Sequence, residues 1–513
     1  MIKYYDTRSN LSEPLPFREV VLQGIAPGGG LFVPESLPAI GPAEIRDLGD
    51  MPYWERAAFI YQRFELGLPE ERIREICRRA YGDNFNDEDV AVVREVDGWS
   101  DAGPFFFLEL WHGPTLAFKD MALQCMPLFF SEALENAHAE GRQETDKLIL
   151  VATSGDTGVA ALNGYADRPH VKIMVCYPSG GVSAVQERQM TTQAGGNLTV
   201  VAVEGDFDAC QRSVKAVFAD QAFAARLAGD FGLSLSSANS INWGRLLPQI
   251  VYYFSAYADM VKREALQMGD RLDICVPSGN FGDILGAYYA KLMGLPAGRL
   301  VCASNTNNIL SDFFATGVYD ISSRCLVKTA SPSMDILISS NLERLLFAVT
   351  RDGERVRGWM KDLAEKGVFR VDDATLAALR RDFSGDWVGT DVCLKAIGDV
   401  FEQDGYLMDP HTAVAWEVAR RHKGEAPMLI VSTAHWSKFP ADVIRGLRGL
   451  APEAPLGEDE FELVADLDRL DPGSVGAAVV RSIQGRPVRF DKQVPAGAEP
   501  LESAIREWLS AQV

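Results

Sequence analysis

The sequence predicts an α/β protein in which a smaller N-terminal unit is followed by two doubly wound domains with mostly parallel sheets. From about residue 147 onward, short runs rich in Val, Ile and Leu alternate with Gly/Ser/Asp turns and helix-like segments. These runs are apolar almost without interruption, which is typical of parallel strands covered by helices on both faces. The chain has 513 residues, enough for two or three domains with large cores.

The predicted strands form two groups along the chain. The first group consists of KLILVA (147–152), VKIMVCYP (171–178) and LTVVAVEG (198–205). The second group consists of RLDICVPSG (271–279), RLVCASN (299–305) and MLIVST (428–433). Most of these strands are followed by a turn of small residues and then a helix-like segment, so the pattern predicts consecutive βα units.

Composition changes along the chain divide it into three predicted domains. Residues 1–100 contain the turn-rich APGGGLFVPESLP and the charged EERIREICRRA, and they form the predicted N-terminal domain. Residues 101–262 form the first α/β domain, which carries Lys119 and TSGDTG. Residues 263–513 form the second, with a charged helical insertion at about 340–400 and a C-terminal region.

Charge and cysteine usage exclude several classes of protein. The net charge is −21 and no basic stripe is present, which argues against a nucleic-acid partner. The eight cysteines are scattered without a CxxC pair, so neither a zinc knuckle nor a disulfide framework is expected. No apolar run approaches the roughly 18 residues that a transmembrane helix needs, and the first residues lack the features of a secretory signal. We therefore expect a cytoplasmic protein with no membrane partner.

Lys119 is the most unusual charged residue in the sequence. It lies in HGPTLAFKD (112–120), directly after Leu116, Ala117 and Phe118. Removing an ammonium group from water costs several kcal/mol unless it is paired or neutralised. Lys119 is therefore either a surface lysine whose apolar stem covers the core or an amine with a depressed pKa in a dry site.

Three polar turns follow predicted strands at the edge where ligands of α/β sheets usually bind. VPSGNFGD (276–283) has small residues before a helix, as a phosphate-binding turn requires, although a turn without a ligand is equally compatible with it. TSGDTG (153–158) suits a carboxylate or phosphate, or alternatively a helix cap. STAHWSKFP (432–440) offers Thr433 and His435, and a lone histidine is usually structural.

Other catalytic templates are missing from the sequence. It contains no GxxxxGK[ST], GxGxxG, HExxH or GxSxG motif, so neither nucleotide binding nor a metal centre is predicted. A lysine in apolar surroundings and a phosphate-type turn remain. A carbonyl-bearing cofactor with its own phosphate would use both, and pyridoxal 5′-phosphate is such a cofactor.

Six motifs in a fixed order then resemble one enzyme family. They are GIAPGGGLFVPESLP, HGPTLAFKD, ATSGDTG, YPSGGVSAVQERQMTT, SSANSINWGRLLPQ and VPSGNFGD. Over nearly its full length the chain resembles threonine synthases, which are pyridoxal-phosphate enzymes of fold type II. SINWGR and the long C-terminal region are similar to the longer bacterial and fungal branch.

The resemblance implies roles for individual residues. Lys119 would form the Schiff base with the cofactor and act as the acid/base catalyst. The residues around the cofactor would be Gly279, Asn280, Phe281, Gly282, Asp283 and Thr433, with Thr433 at the pyridine nitrogen. The residues at the substrate would be Ser154, Asp156 and Thr157 at its carboxylate, and Asn242 and Arg245 at its phosphate. A helix cap for Asn242 and a surface ion pair for Arg245 are the alternatives.

The resemblance also implies a reaction, the conversion of O-phospho-L-homoserine and water to L-threonine and phosphate, the last step of threonine biosynthesis. The alternative is a threonine-synthase-like phospho-lyase that forms a 2-oxo acid, ammonia and phosphate. A non-enzymatic relative would be expected to lack the lysine or the phosphate-type turn, and both are present. We expect a monomer or a homodimer. Asp120 receives no role beyond a negative charge at a helix N-terminus.

Overall fold

A computed structural model describes residues 1–96, 99, 104–142 and 144–512. The predicted domain boundary between residues 100 and 101 lies outside the described residues. The N-terminal segment contains β1 (Lys3–Asp6), β2 (Leu15–Pro16), α1 (Phe17–Gln23), a 3₁₀ helix (Pro27–Gly29), β3 (Phe32–Pro34), α2 (Pro42–Leu48), α3 (Tyr53–Arg63), α4 (Glu70–Tyr81) and β4 (Val92–Val96).

The next part of the chain extends to residue 262. It contains β5 (Phe105–Glu109), α5 (Lys119–Leu123), α6 (Met126–Ala139), β6 (Asp146–Ala152), α7 (Asp156–Tyr165), β7 (Val171–Pro178), α8 (Ala184–Thr191), β8 (Leu198–Val203), α9 (Phe207–Ala219), α10 (Gln221–Phe231), β9 (Leu233–Ser236) and α11 (Trp243–Lys262).

The remainder of the chain holds the later elements in two stretches. The first stretch contains β10 (Leu272–Pro277), α12 (Gly282–Leu292), β11 (Ala297–Ser304), α13 (Ile309–Thr316), β12 (Val318–Asp320), a 3₁₀ helix (Pro332–Met334), α14 (Leu342–Thr350), α15 (Gly353–Lys366), β13 (Val368–Arg370), α16 (Asp373–Asp382) and β14 (Phe383–Trp387). The second contains α17 (Thr390–Asp404), α18 (Pro410–His422), β15 (Met428–Ser432), a 3₁₀ helix (Trp436–Lys438), α19 (Pro440–Leu447), α20 (Glu460–Asp468), α21 (Val475–Gln484), β16 (Gln493–Val494) and α22 (Ala498–Ser510).

Two mostly parallel sheets confirm the predicted fold class. One has the order β16-β8-β7-β6-β9, and every neighbouring pair in it is parallel. The other has the order β14-β11-β10-β15-β5-β4, and only the edge pair β4–β5 is antiparallel. Central strands such as β10 are buried along their whole length, which explains their continuous apolar sequence.

Sheet membership does not follow chain order for β4, β5 and β16, and β4 of the N-terminal segment pairs with β5. β5 lies within the range 101–262, but it pairs with β15 and joins the six-stranded sheet. All five of its residues, Phe105–Glu109, are buried, so the strand needs neighbours on both edges and cover on both faces. β16, near the C-terminus, pairs with β8 of the other sheet. The predicted insertion at 340–400 is largely helical, but it also contributes the edge strand β14.

The long helix α11 joins the N-terminal segment to both sheets. It contacts α2 and α3 on one side and α5 and α12 on the other, and nearly all of its residues are buried. A helix that is covered on nearly all sides is rich in apolar residues, as this sequence is. The buried ion pair between Arg56 of α3 and Asp259 of α11, 2.8 Å, fixes this contact. No helix in the described part of the chain is long and apolar enough to cross a membrane.

Candidate active site

A cavity of about 530 Å³ opens where the carboxyl ends of strands from both sheets meet. Its lining includes Lys119, the turn after β6, the turn after β10 and Thr433 after β15. This is the usual place for a ligand in α/β folds, and the volume is typical of small-molecule sites. All the predicted site residues except Asn242 line this cavity.

Backbone pairing positions Lys119 in the cavity. The Phe118 N–H donates to the Thr433 carbonyl (2.8 Å), and the His435 N–H donates to the Leu116 carbonyl (3.1 Å). Leu116 has a φ of 65°, a left-handed conformation that turns the chain toward this pairing. Helix α5 begins directly afterwards at Lys119. Two loops that are far apart in the sequence are therefore joined beside the amine.

The surroundings of Lys119 favour its neutral amine. The side chain is largely buried, with 7% of the residue exposed. Its Nζ lies 3.3 Å from Asp156 Oδ2 and 3.2 Å from Ser333 Oγ. Burial lowers the pKa of Lys119; Asp156 opposes this shift, and the positive charges of Lys438 and Arg245 add to it. A lysine with a depressed pKa can act as a nucleophile and as a base.

Asp156 joins Lys119 to a second buried lysine that the sequence analysis did not single out. Lys438 Nζ lies 2.9 Å from Asp156 Oδ1 and also donates to the Thr115 carbonyl (2.7 Å) and to Gln189 Oε1 (3.1 Å). Burial would raise the pKa of Asp156, but Lys438 and Lys119 together hold it well below its usual range. The sequence signal was the same as for Lys119, a lysine beside apolar residues after a buried strand.

The turn TSGDTG presents hydroxyl groups to the cavity. Thr153 Oγ1 accepts hydrogen bonds from the Gly155 N–H (3.0 Å) and the Gly158 N–H (2.8 Å), so Thr153 stabilises the start of α7. The side chains of Ser154 and Thr157 are not needed for this cap, and both residues line the cavity. The cap that the sequence allowed for this turn therefore belongs to Thr153.

The turn SGNFGD brings the N-terminus of α12 to the cavity. A Cβ atom on Gly279 would lie 2.6 Å from the Ser333 carbonyl oxygen, so only glycine fits this close approach. Phe281 has a φ of 61° and packs against Phe314 and Phe383 on the side away from solvent. Helix α12 starts at Gly282, so its first N–H groups and its positive dipole end face the cavity.

Asn280 and Asp283 complete this turn. The Asn280 carbonyl accepts from the N–H and the Nδ2 of Asn341, both at 3.1 Å, which anchors the turn from behind. Asp283 Oδ1 accepts from the hydroxyls of Tyr252 and Tyr253, whereas its buried Oδ2 has no hydrogen-bond partner. Burial raises the pKa of Asp283 to about 6. The carboxyl group therefore has one oxygen available on a residue that lines the cavity.

Ser333 and His411 also line the cavity, although the sequence did not indicate them. The Ser333 N–H donates to His411 Nε2 (3.1 Å), and His411 Nδ1 contacts Asp409 Oδ2. The hydroxyl of Ser333 contacts Lys119, so this chain of contacts extends from Asp409 to the amine. No local motif marks these residues, because Ser333 lies in the 3₁₀ helix Pro332–Met334 and His411 in the first turn of α18, far apart in the sequence.

The structure separates Arg245 from Asn242. Asn242 is fully buried, its Oδ1 accepts from the Gly244 N–H (2.9 Å), and its Nδ2 donates to the Val21 carbonyl (2.8 Å). Its amide is used by the cap of α11 and the N-terminal segment, so the predicted contact with a substrate phosphate is replaced by the helix-cap alternative. The residue also does not line the cavity.

Arg245 lies in the cavity wall and is not in a surface ion pair. Only 3% of the residue is exposed. Its Nη1 donates to the Ala238 carbonyl (2.7 Å), its buried Nε has no partner, and among the described residues no carboxylate pairs with it. Burial lowers the pKa of Arg245 to about 10. A buried guanidinium without a counter-charge is suited to an anionic ligand.

The residues of this cavity fit pyridoxal phosphate. The start of α12 would receive the phosphate, Lys119 would bond to the carbonyl carbon, and the Thr433 hydroxyl would face the ring nitrogen. The unpartnered Asp283 Oδ2 and the depressed pKa of Lys119 are the observations that favour a ligand of this kind.

The fold and the site define a pyridoxal-phosphate-dependent enzyme of fold type II, and the family model named pyridoxal-phosphate dependent enzyme matches residues 95–386. A second model, named threonine synthase N terminus, matches residues 3–81. The chain belongs to the threonine synthase family, as its motifs predicted.

Known proteins agree with this family membership. The chain is 36% identical to a threonine synthase of Saccharomyces cerevisiae over 87% of this chain and 90% of that protein. A crystal structure of pyridoxal-phosphate-bound threonine synthase from Brucella melitensis is 36% identical, with a TM-score of 0.83 over 99% of both chains. The chain is also 42% identical to the human protein threonine synthase-like 1 over 84% of its own length, but spans only 58% of that relative.

Proposed function

We propose that this protein is a threonine synthase that converts O-phospho-L-homoserine and water to L-threonine and phosphate. The observation that carries the proposal is the buried Arg245, whose unpaired Nε lies in the wall of the cavity that also contains Lys119. The start of α12 suits the cofactor phosphate, so Arg245 provides a second place for an anion. A substrate that carries its own phosphate needs this second place in addition to the one for the cofactor phosphate.

Lys119 has the protonation properties that this reaction requires. When bound, pyridoxal phosphate supplies an electron sink that makes the Cα proton of the substrate acidic, and the Cβ proton after it. The amine of Lys119 would remove these protons, and its depressed pKa keeps it in the neutral form that can accept them. The low exposure of Lys119 also limits the access of water to the reacting carbon atoms.

The turn TSGDTG would bind the substrate carboxylate. Ser154, Thr157 and the first N–H groups of α7 supply donors to the cavity. Asp156 is negatively charged and would repel this carboxylate if it were unpaired. Lys438 and Gln186 occupy its Oδ1, at 2.9 and 2.8 Å, so the charge is offset before the substrate arrives.

Arg245 would hold the substrate phosphate, which leaves from Cγ. Its planar guanidinium can form paired hydrogen bonds to a phosphate, and its position in a low-dielectric wall strengthens them. The same charge would stabilise the departing phosphate before water adds at Cβ. Arg245→Gln should therefore raise KM for O-phospho-L-homoserine by about tenfold or more. Arg226→Gln, on the exposed face of α10, is the matched control and should leave KM unchanged.

A product assay on the holoenzyme tests the proposed function. We expect O-phospho-L-homoserine to yield threonine and phosphate in equal amounts. Phosphate with a 2-oxo acid and ammonia, but no threonine, would establish the phospho-lyase alternative instead. If none of these products forms, the proposal fails for this substrate.

The oligomeric state and compartment are parts of the same proposal. We propose a monomer or homodimer that works in the cytoplasm. Light scattering on a size-exclusion column would test the oligomeric state, and fractionation of the source cells would test the compartment.

A further inference from the structure

Two histidines and an aspartate meet at the edge of the five-stranded sheet that is opposite the cavity. His138 lies in the last turn of α6, Asp146 is the first residue of β6, and His170 directly precedes β7. The cavity lies at the carboxyl ends of the strands, whereas this cluster lies at their amino ends. All three side chains are partly exposed, so ions in solution can reach them.

The donor atoms of these three residues are already close together. His170 Nδ1 lies 2.9 Å from Asp146 Oδ1, and His138 Nε2 lies 4.0 Å from the same oxygen. One ligand atom from each residue lies within 4.8 Å of the others. A tetrahedral zinc ion with bonds of roughly 2.0–2.1 Å separates its ligand atoms by about 3.4 Å. Small side-chain rotations would therefore produce that spacing.

The backbone holds two of the three ligands in register. Lys147 pairs with Val171 in the parallel ladder of β6 and β7, and the Lys147 N–H donates to the His170 carbonyl (3.0 Å). His170 has a φ of 61°, a left-handed conformation that is uncommon for residues other than glycine. This conformation directs the chain into β7 while the imidazole stays beside Asp146.

The third ligand comes from a different element. His138 Nε2 contacts the Glu144 carbonyl (2.8 Å), so a backbone oxygen also lies beside the cluster. The two imidazole rings meet edge to face with centroids 4.6 Å apart. Two imidazoles and one carboxylate are a donor set that suits zinc and its neighbours in the first transition row rather than magnesium or calcium.

We infer that His138, Asp146 and His170 form a binding site for a divalent transition-metal ion such as Zn²⁺. The ion would connect the end of α6 to the starts of β6 and β7, at a distance from the active site. It would replace the hydrogen bond of His170 to Asp146 and that of His138 Nε2 to the Glu144 carbonyl by three metal–ligand bonds, with each ligating imidazole in its neutral form. The negative net charge of the chain favours the binding of a cation.

Calorimetric titration of the metal-free holoenzyme with Zn²⁺ tests the site. The titration is done in a Cys325→Ser background, because Cys325 is an exposed thiol that can bind zinc by itself. We expect one saturable site per chain that is weakened at least tenfold by His138→Gln and by His170→Gln. His422→Gln is the matched control, since His422 faces one carboxylate, Asp386 at 3.5 Å, and should leave this affinity unchanged.

Two further measurements separate metal binding from misfolding and from the proposed function. Zn²⁺ should raise the melting temperature of the parent but not of the two histidine variants, whose metal-free melting temperatures should equal that of the parent. Co²⁺ should give visible absorption bands of a tetrahedral site in the parent only. Zinc binding that is equally strong in both histidine variants, or no saturable binding, would overturn the inference. The melting temperatures and the Co²⁺ absorption do not depend on which reaction the cavity catalyses.

Discussion

The loops 112–120 and 432–440 each place a lysine in the interior, yet the two amines have different surroundings. The loops follow the neighbouring parallel strands β5 and β15 and are joined through Phe118 and Thr433. Lys119 faces the cavity with contacts of 3.2 and 3.3 Å. Lys438 is fully buried and donates to three oxygen atoms at 2.7–3.1 Å.

The two buried lysines differ in the number and the distance of their oxygen partners. The three donors of the Lys438 ammonium have three acceptors, one of them a carboxylate, so its charge is compensated. Lys119 shares the same carboxylate, but only through longer contacts, and burial depresses its pKa. Asp156 therefore contacts the compensated ammonium of Lys438 through one oxygen and Lys119, with its depressed pKa, through the other.

The largest expected effect comes from removing the amine that faces the cavity. Lys119→Ala should lower kcat about 10⁴-fold or more, because in the proposed reaction its amine both bonds to the cofactor and moves the proton. Steady-state kinetics with O-phospho-L-homoserine and the violet absorption of the bound cofactor measure the two functions. The control variant Lys262→Ala, which removes an exposed lysine at the end of α11, should retain both the activity and the violet absorption. Violet absorption in the Lys119 variant would contradict the assignment.

The second largest effect should come from removing the compensated amine. Lys438→Met removes the nearer of the two lysines that contact Asp156 and should reduce the free energy of unfolding by about 3–5 kcal/mol. It should also raise the pKa of Lys119, since a neighbouring positive charge is lost and Asp156 is less neutralised.

The rate at which the apoprotein combines with pyridoxal phosphate reports this pKa, because only the neutral amine reacts. The rate profile should move to higher pH in Lys438→Met and stay in place in Lys438→Arg, which keeps the charge. A profile that moves to lower pH, or unchanged stability, would show that the two lysines are not coupled through Asp156.

The 432–440 loop should be the more sensitive of the two to acid. Burial lowers the pKa of His435 from 6.5 to about 3, with smaller contributions from His112 and Lys438. The contribution of His435 to the free energy of unfolding is fully present above pH 6.5 and is lost as pH falls toward 3. At pH 4 the loss is about 3 kcal/mol. Urea unfolding at several pH values should show a smaller acid slope in His435→Asn. Ser474→Ala removes a hydrogen bond to His435 but keeps the imidazole, so it should retain the slope of the parent.

The 112–120 loop should lose stability as pH rises, opposite to the 432–440 loop, and this effect should be the smallest of those predicted. Burial raises the pKa of Asp120 from 3.8 to about 6. The contribution of Asp120 to the free energy of unfolding is fully present below pH 3.8 and is lost as pH rises through 6. Between pH 5 and pH 8 the loss is about 1.5 kcal/mol. Asp120→Asn should remove this decline in urea unfolding. Thr115→Val deletes a hydrogen bond that stabilises the carboxylate, so the decline should become steeper; an unchanged slope in both variants would refute the explanation.

Asp120 makes contacts that the sequence did not indicate. The motif HGPTLAFKD identified Lys119 but gave Asp120 no role beyond a negative charge at a helix N-terminus. In the structure its two oxygens accept from the N–H and the hydroxyl of Thr115, at 2.8 and 2.7 Å. The Thr115 carbonyl in turn accepts from Lys438. Asp120 thus fixes Thr115, and the distant partner that the sequence could not show is Lys438, which contacts Thr115.

The sequence by itself determined the features that are encoded locally. Continuous apolar runs predicted buried parallel strands, small residues predicted the turns at their carboxyl ends, and ordered motifs predicted the family. These signals lie within a few residues of one another, where propensity and periodicity act. They were sufficient for Lys119, the turn 278–283 and Thr433, all of which line the cavity.

Only the tertiary structure decided which polar groups meet. It placed β5 and β16 in sheets away from their neighbours in the chain and used Asn242 as a helix cap. It also left the Nε of Arg245 without a hydrogen-bond partner among the described residues and brought Lys438 to Asp156. The physical reason is that a buried charge is stabilised by whichever partner the packed core brings within hydrogen-bond distance. That partner can lie anywhere in the chain, so no local pattern records it.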